Sequence, residues 1–285
     1  MPELNEEIRN VKIEDFPISE FYKNEILYKE RARIYEYEST ETEDHDFILS
    51  LALQNDVSSI LEVFSGVGRN VLKLSETGKE ISAVDLEPNM IEVLKKKAEL
   101  NSLVNVNAFV GDVRTFYLSK KFDLIIIPRE AFQMLLSQED RLKALINLSE
   151  HLSSTGTLML DLANFYRKNI GCNESLITYY APGIEDGTIV KDWTKKIDNG
   201  YKLTRYHSQN TKKDNYIKFQ FFYILKNGLR QCKKFSSNVE LYKIDLNEVL
   251  ELLKAAGLTV DIVYGDYNKT NFNNNSRRMI LLSSK

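Results

Sequence analysis

Short apolar runs alternate with amphipathic segments over residues 57–163. The runs lie at residues 59–64, 81–85, 104–110, 122–127 and 158–162. Their cores are mostly apolar rather than alternating, which is typical of strands in a parallel sheet that is covered on both faces. The segments between them have helical spacing and lie at residues 69–77, 87–100 and 138–152, and Ser-Thr-Gly-Thr at 154–157 indicates a turn. Because crossovers between parallel strands are right-handed, this order predicts a doubly wound α/β fold.

The pattern changes after Asn164. Apolar and polar residues then alternate over 201–207, 216–225 and 233–241, and the Asn-Gly pairs at 199–200 and 227–228 are hairpin signals. A helix at 246–256 and strands at 258–264 and 278–282 restore the first pattern. We therefore predict a mostly parallel, Rossmann-like seven-stranded sheet with an inserted antiparallel β lid. The predicted parts are an N-terminal helical cover at 1–50, a Rossmann-like domain at 51–163 and 244–285, and the lid at 164–243.

The composition is that of a soluble globular protein. The 285 residues include 41 acidic and 38 basic side chains, and a balance so close to neutral argues against general nucleic-acid binding. Acidic residues are concentrated at residues 1–50, where 14 stand against 6 basic ones. The polar N-terminus and the short apolar runs indicate neither a signal peptide nor a membrane span. We expect a cytoplasmic monomer or homodimer in which Cys172 and Cys232 are reduced.

Polar side chains follow three consecutive strands of the predicted sheet. The first strand leads into a turn that contains Gly66 and Gly68, which allow a ligand to approach the backbone closely. Asp85 ends the second strand and Asp112 follows the third. Open α/β sheets bind ligands at this edge, and the oxygens of a carboxylate accept hydrogen bonds from ribose hydroxyls or from an exocyclic amino group. These positions predict a site for an adenosine-type ligand.

The turn after the first strand favours S-adenosylmethionine over other adenosine ligands. Val71 occupies the position of the third glycine of a dinucleotide fingerprint, and the chain has no phosphate-binding Gly-Lys-Ser/Thr loop. Glu62 at the base of the turn would repel phosphate but could accept from an ammonium group. An NAD(P)-dependent oxidoreductase and a non-catalytic adenosyl-ligand-binding subunit remain alternatives.

Five stretches of the chain resemble the class I S-adenosylmethionine-dependent methyltransferases, in particular the small-molecule enzymes with an antiparallel β lid. Residues 62–69, Glu-Val-Phe-Ser-Gly-Val-Gly-Arg, are similar to the family's E/D-x-G-x-G-x-G-R motif, with Phe64 in place of the first glycine. The family's D-x-x-x-x-M matches residues 85–90, and its G-D-M-R-x-F matches residues 111–116. Residues 127–136 and 265–268 are similar to the lidded subgroup.

The resemblance implies S-adenosylmethionine as the cofactor and assigns residues to its site. Tyr35 stands in a Tyr-Glu-Tyr-Glu stretch that is similar to a family helix that closes over the cofactor. The implied cofactor-binding residues are Tyr35, Glu62, Phe64, Ser65, Gly66, Gly68, Arg69, Asp85, Leu86, Met90, Gly111, Asp112, Val113 and Pro128.

The acceptor side of the site is less defined by the sequence. His207 and Glu130 are the candidate catalytic proton acceptors, and Arg129, Gln133, Arg205 and Tyr37 are the candidate substrate contacts. Arg205 and His207 share one face of a predicted strand. No metal-ligand cluster is apparent, and Ile-Pro-Arg-Glu at 127–130 lacks the Pro-Pro-aromatic element of DNA amino-methyltransferases. We predict methyl transfer to the nitrogen or oxygen of a small molecule, with no nucleic-acid or membrane partner.

Overall fold

The computed structural model describes residues 28–38, 40–167, 180, 184–197, 200–211, 215–227 and 230–285. Some of the sequence predictions fall elsewhere. Residues 1–27 of the predicted cover, Cys172 and one residue of each Asn-Gly pair lie outside the described residues. Within them the chain forms two compact units. Residues 32–167 and 241–285 belong to the α/β unit, and residues 28–31 and 184–240 belong to the β unit.

The α/β unit is built on a seven-stranded sheet. Its strands are β1 (Ser59–Val63), β2 (Glu80–Asp85), β3 (Val106–Val110), β4 (Phe122–Ile127), β5 (Leu152–Ala163), β10 (Thr259–Tyr264) and β11 (Arg278–Ser284). Their order across the sheet is β10-β11-β5-β4-β1-β2-β3. The pairs β1–β2, β1–β4, β2–β3 and β4–β5 are parallel, and β11 is antiparallel to both β5 and β10. The predicted fold class is confirmed.

The helices of the described residues are α1 (Tyr28–Glu38), α2 (His45–Ala52), α3 (Arg69–Ser75), α4 (Pro88–Leu100), α5 (Gln138–His151), α6 (Leu246–Ala255) and a 3₁₀ helix (Arg129–Met134). Helices α3 to α6 begin and end close to the predicted positions, whereas no bounds were predicted for the other three. Side-chain caps explain three of the starts, because the side chains of Glu87, Ser137 and Asp245 accept hydrogen bonds from the first-turn amides of α4, α5 and α6. No helix in the described ranges is both long and apolar enough to cross a membrane.

The central strands are buried on both faces of the sheet, whereas the edge strand β3 is largely exposed. Leu61 and Ile125 belong to a cluster that includes residues of α5 and α6. Their neighbours in sequence, Ile60 and Leu124, belong to a second cluster that includes residues of α2, α3 and α4. Two helical layers therefore cover the central strands, which is why most of their residues are apolar on both faces.

The predicted turn at 154–157 is wrong, because β5 runs without a break from Leu152 to Ala163. Gly156 instead allows β5 to approach β4 closely. A β-carbon on Gly156 would lie 2.7 Å from the carbonyl oxygen of Phe122. The β4–β5 register shifts between Phe122 and Leu124. Residues 154–157 therefore lie where the two strands pair irregularly and do not form a turn.

The β unit contains a four-stranded sheet. Its strands are β6 (Val190–Lys196), β7 (Tyr201–Asn210), β8 (Tyr216–Asn227) and β9 (Arg230–Tyr242), which neighbour each other in chain order. The β7–β8 register is antiparallel and unbroken, whereas the β6–β7 register shifts between Lys191 and Trp193. The predicted antiparallel sheet is confirmed. The predicted domain boundaries stay a prediction.

Candidate functional site

The turn after β1 has a left-handed backbone at three positions. Phe64, Gly66 and Gly68 have φ values of 56°, 54° and 85°. A β-carbon on Gly66 would lie 3.4 Å from the ring of Tyr35, and one on Gly68 would lie 2.2 Å from a methyl group of Leu94. The φ of Gly68 therefore favours glycine, and a β-carbon there would also displace the methyl group of Leu94. Phe64 adopts a left-handed conformation that glycine tolerates and that a residue with a β-carbon resists.

The carboxylate of Asp85 connects the ends of β1 and β2. Its Oδ2 accepts from the amide of Gly66 at 2.8 Å, and its Oδ1 accepts from the amide of Glu87 at 2.9 Å. Burial raises the pKa of Asp85, although these two backbone hydrogen bonds oppose the shift. Each oxygen has a second lone pair, so the carboxylate can still accept from two hydroxyl groups.

Asp112, at the end of β3, is held by an arginine that the sequence analysis missed. Arg114 donates from Nε to both oxygens of Asp112 at 2.9 and 3.1 Å, and it also donates to Asp140 at 2.8 Å. These hydrogen bonds lower the pKa of Asp112. Arg114 occupies the arginine position of the G-D-M-R-x-F motif, and that match was the available signal.

A cavity of about 320 Å³ lies at the ends of β1, β2 and β3. Six predicted cofactor-binding residues line it, namely Phe64, Asp85, Leu86, Gly111, Asp112 and Val113. Residues 134–136, Met-Leu-Leu, supply an apolar wall that the sequence analysis did not assign. Apolar walls with a carboxylate at two strand ends suit a nucleoside, which has an apolar ring face and polar edges.

Three acceptor atoms near the β1 turn are buried and have no hydrogen-bond partner within the described residues. They are Oε2 of Glu62, Oγ of Ser65 and Oδ1 of Asn70. Burial raises the pKa of Glu62 to about 8. Because unpaired buried acceptors favour a donor or a positive charge, this end of the site suits an ammonium group.

Arg69 points toward the segment before α2. It donates to both oxygens of Asp44 at 2.6 and 2.5 Å and to the carbonyl of Glu41 at 2.8 Å. Burial opposes ionisation of Asp44, but the hydrogen bond and charge of Arg69 outweigh it and lower the pKa of that carboxyl. Tyr35 reaches the turn from α1, where the neighbouring Glu36 forms an ion pair with Lys97 of α4. The cofactor roles of Arg69 and Tyr35 stay predictions.

A buried ionic cluster lies where β4 and β5 end. Asp161 accepts from the backbone amide of Arg129 at 3.0 Å, from the hydroxyl of Tyr267 at 2.8 Å and from Nε of Arg278 at 2.6 Å. Arg278 also donates to Glu130 at 3.2 Å. Arg129 has a φ of 51°, so the backbone amide that donates to Asp161 belongs to a residue in the left-handed region. The ion pair of Glu130 competes with the predicted role of proton acceptor.

Gln133 has the hydrogen bonds of a structural residue. Its amide nitrogen donates to the carbonyls of Ala163 and Tyr242 at 3.3 and 3.1 Å, and its oxygen accepts from the amide of Ala163 at 2.8 Å. Met90 is buried in α4, outside the residues that line the cavity, and Pro128 precedes the 3₁₀ helix. Tyr37 lies half-buried in α1. The predicted ligand contacts of these four residues stay predictions.

In the β unit, Arg205 and His207 meet on one carboxylate. Asp192 accepts from Nε of Arg205 at 2.7 Å, and its other oxygen lies 2.5 Å from Nδ1 of His207. The sequence analysis missed Asp192, because alternation gives no signal for the register shift that places this residue. The roles of Arg205 and His207 stay predictions. In the described part of the chain, no group of three His, Cys, Asp or Glu side chains is arranged to hold a metal ion.

Part of the chain is similar in sequence to known methyltransferases. Residues 60–156 match the family model described as methyltransferase domain. A glycine/sarcosine N-methyltransferase from Parasynechococcus marenigrum (strain WH8102) is 24% identical over 61% of this chain, and the match spans 61% of that relative's own length.

Two solved structures share the fold over most of the chain. An S-adenosylmethionine-dependent methyltransferase from Clostridium acetobutylicum has a TM-score of 0.70 at 19% identity, covering 90% of this chain and 98% of its own. An amino pentose methyltransferase from Micromonospora echinaspora, CalS10, has a TM-score of 0.64 at 19% identity, covering 91% and 98%. That structure was solved with S-adenosylmethionine bound.

Proposed function

On the premise that residues 60–156 match the model of a methyltransferase domain, we propose that the protein methylates the nitrogen of a small-molecule amine. The resemblance and the cofactor predicted from the sequence are confirmed, and the enzyme class is confirmed for this domain. The acceptor, its nitrogen and the activity of the whole chain belong to the proposal.

The arrangement of acceptors around the β1–β3 strand ends carries the proposal. Glu62 provides a buried oxygen without a hydrogen-bond partner for an ammonium group, Asp85 provides acceptors for ribose hydroxyls, and Asp112 provides acceptors for an exocyclic amino group. The cofactor has these three donor groups. The residues therefore fit S-adenosylmethionine from its amino-acid end to its adenine.

Bound S-adenosylmethionine supplies an electrophilic methyl group on a positively charged sulfur. The residues around the turn have to hold the cofactor in one orientation and exclude water, since alignment contributes most when the leaving group is already good. A neutral amine already has its nucleophilic electron pair, whereas a hydroxyl group needs a base or a metal ion to remove its proton.

Two comparisons support nitrogen as the acceptor atom. The relative from Parasynechococcus is named an N-methyltransferase of glycine and sarcosine, and CalS10 is an amino pentose methyltransferase. Oxygen is the second candidate acceptor atom. A hydroxyl group needs a proton acceptor, and Glu130 and His207 are the two residues predicted for that role.

Turnover with matched acceptors tests the proposal. The purified chain is incubated with methyl-labelled S-adenosylmethionine and glycine, sarcosine or glucosamine, and in parallel with glycolate and glucose, in which hydroxyl groups replace the amines. Label transferred to an amine and not to its hydroxyl analogue supports the proposal. Transfer to the hydroxyl analogues alone contradicts it, and binding of S-adenosylhomocysteine without any transfer favours the non-catalytic subunit.

Titration calorimetry tests the cofactor site independently of the acceptor. Asp85→Ala should weaken binding of S-adenosylhomocysteine by about 1–3 kcal/mol, since it removes acceptors for the ribose and the bond that shapes the turn. Asp56→Ala is the matched control, because Asp56 is exposed and does not line the cavity. Equal affinity of both variants would remove Asp85 from the site, and tight NADH binding in place of S-adenosylhomocysteine would overturn the cofactor assignment.

A further inference from the structure

Strand β3 forms one edge of the seven-stranded sheet. It stands last in the strand order, and in the described part of the chain β2 is its only partner strand. The side chains at this edge are apolar and reach solvent, since Val104, Phe109 and Val110 are 98%, 40% and 53% exposed. Unpaired amides and carbonyls beside exposed apolar side chains make an edge strand a template for pairing with another chain.

The opposite edge of the same sheet has features that hinder such pairing. The register of β10 with β11 is interrupted at Asp261, which places a charged residue and an irregularity on the edge strand. The end of β10 is paired with Asn271 through a bridge at Tyr264. By contrast, β3 keeps an unbroken register with β2, and residues 104–111 include neither a charged residue nor a proline. Charges, irregularities and covering loops are the usual protection of an edge strand, and β3 lacks them.

The hydrogen bonds between β2 and β3 show which backbone groups of β3 are available to another strand. The carbonyl of Asn105 accepts from the amide of Ile81, and the amide of Gly111 donates to the carbonyl of Asp85. The odd-numbered residues of β3 therefore direct their backbone groups toward β2, since this direction alternates along a strand. The amides and carbonyls of residues 106, 108 and 110 point away from the sheet.

A second β3 strand fits these backbone groups when it runs antiparallel, with Ala108 on a twofold axis. Ala108 then faces its counterpart, and Val106 faces Val110 of the partner subunit. Each facing pair exchanges both of its hydrogen bonds, because residues 106, 108 and 110 are the ones that point outward. On the other face of the sheet, Phe109 lies opposite Asn107 of the partner subunit. The pairing therefore covers exposed apolar side chains of both copies and leaves the bonds to β2 intact.

Helix α4 provides charges that are complementary about the same axis. Lys95 and Glu99 line a groove of about 410 Å³ between α4 and β3. Both side chains are exposed, and neither forms an ion pair with a described residue. A twofold axis perpendicular to the sheet places the two α4 helices antiparallel on one face, so Lys95 of each copy lies toward Glu99 of the partner subunit. The surface is therefore self-complementary, as an interface between two identical chains requires.

We propose that the protein forms a homodimer in which the two β3 strands pair antiparallel and join two seven-stranded sheets into one. The sequence left monomer and homodimer open, and this pairing goes beyond the proposed function and does not depend on it. The contact uses the same surface on both copies, so it closes on itself and gives a dimer instead of a filament. Backbone pairing and apolar burial hold the dimer, whereas the exposed pairs of Lys95 with Glu99 contribute little affinity and help to set the orientation.

Sedimentation equilibrium of the full chain tests the dimer. We expect the wild type to be dimeric at about 50 μM and Val110→Lys to raise the dissociation constant at least about tenfold, since the added charge loses water when the edges pair. The backbone groups of Val110 point away from β2, so the variant keeps the pairing of β2 with β3. Leu53→Lys is the matched control, because Leu53 is an exposed leucine that follows α2. A wild-type monomer at this concentration, or equal dissociation constants of the two variants, would overturn the proposal.

Reversing the two charges of α4 tests the position of the axis. Lys95→Glu brings carboxylates together across the interface and should raise the dissociation constant by about threefold at low salt. Adding Glu99→Lys to the same chain reverses both charges and should restore the wild-type value. Glu251→Lys, at an exposed position of α6, is the control for a change of charge away from β3 and should leave the dissociation constant unaltered. A double variant that dimerises no better than Lys95→Glu would contradict pairing about Ala108.

Hydrogen exchange of the wild type at two protein concentrations locates the interface without any variant. The amides of residues 106, 108 and 110 gain a partner only in the dimer, so they should exchange more slowly at about 50 μM than at a concentration below the dissociation constant. The amides of residues 107 and 109 already face β2 and serve as the internal reference. A dimer in which residues 106, 108 and 110 exchange equally at both concentrations would place the interface elsewhere and sink the proposal.

Discussion

Phe64 combines an aromatic side chain with a left-handed backbone that side chains with a β-carbon resist. Its φ is 56°, and its ring packs against the core cluster and lines the cavity. The ring therefore contributes packing at the cost of backbone strain. The sequence showed that Phe64 departs from the family motif, but only the structure shows that its backbone is left-handed.

Comparing two truncations isolates this strain. Phe64→Ala and Phe64→Gly both remove the ring, but only glycine relieves the left-handed conformation. We expect Phe64→Gly to be more stable than Phe64→Ala by about 1 kcal/mol, a reversal of the usual order at extended or helical positions. Urea denaturation measures both free energies of unfolding. Greater stability of Phe64→Ala would show that the turn rearranges when the ring is absent.

Glu62 makes the free energy of unfolding fall as the pH rises, which is opposite to the effect of a carboxyl group whose pKa is lowered by folding. Burial raises its pKa to about 8, so the folded chain keeps this proton over a range in which the unfolded chain, with a carboxyl pKa near 4.5, has lost it. The contribution of Glu62 to the free energy of unfolding therefore falls as pH rises from about 4.5 to 8, by roughly 1.4 kcal/mol per unit of pKa shift at most.

Glu62→Gln removes this titration. We expect the variant to gain stability over the wild type as pH rises from 5 to 8, when urea denaturation is measured without ligand. Glu99→Gln, at an exposed position of α4, is the control and should follow the wild type. Parallel pH profiles of Glu62→Gln and wild type would show that Glu62 is ionised in the folded chain.

At the scale of elements, the 3₁₀ helix is fastened to the sheet by Gln133. This side chain supplies three hydrogen bonds to backbone groups of residues 163 and 242, which end β5 and β9. Periodicity located β4 and α5 on either side of this helix but could not assign the polar side chains between them. The sequence does not indicate what Arg129 and Glu130 contact. In the structure each is fixed by a partner more than 30 residues away.

Gln133→Leu separates a structural role from substrate binding. The leucine keeps the volume but leaves buried backbone groups without these bonds, so we expect a loss of about 2–4 kcal/mol in the free energy of unfolding. The KM for the amine at a permissive temperature should change little. A raised KM with unchanged stability would instead support the predicted substrate contact.

At the scale of the whole molecule, the ligand edge of the α/β unit is assembled from segments that are far apart in sequence. Residues 62–69, 85–87 and 111–114 meet around the cavity because the strands before them are neighbours in the sheet. Ligand binding at this edge should therefore raise the free energy of unfolding of the whole α/β unit. Saturation with ligand at 100 times Kd contributes about 2.7 kcal/mol.

Hydrogen exchange with and without S-adenosylhomocysteine tests this assembly. We expect slower exchange for the amides of residues 64–68 and 111–114, since the ligand would contact or cover the turns that contain them. The amides of β10 and β11, at the opposite edge of the sheet, should change less. Equal protection throughout the unit would point to global stabilisation without contacts at this edge.

The sequence by itself determined the positions of the central strands, of helices α3 to α6 and of the carboxylates at the strand ends, because burial and capping leave a local, periodic signal. Only the tertiary structure decided which polar groups meet. The pair of His207 with Asp192 depends on a register shift, and the pair of Glu130 with Arg278 joins residues 148 positions apart. Such contacts follow from strand order and packing across the whole chain, and no local pattern of residues specifies them.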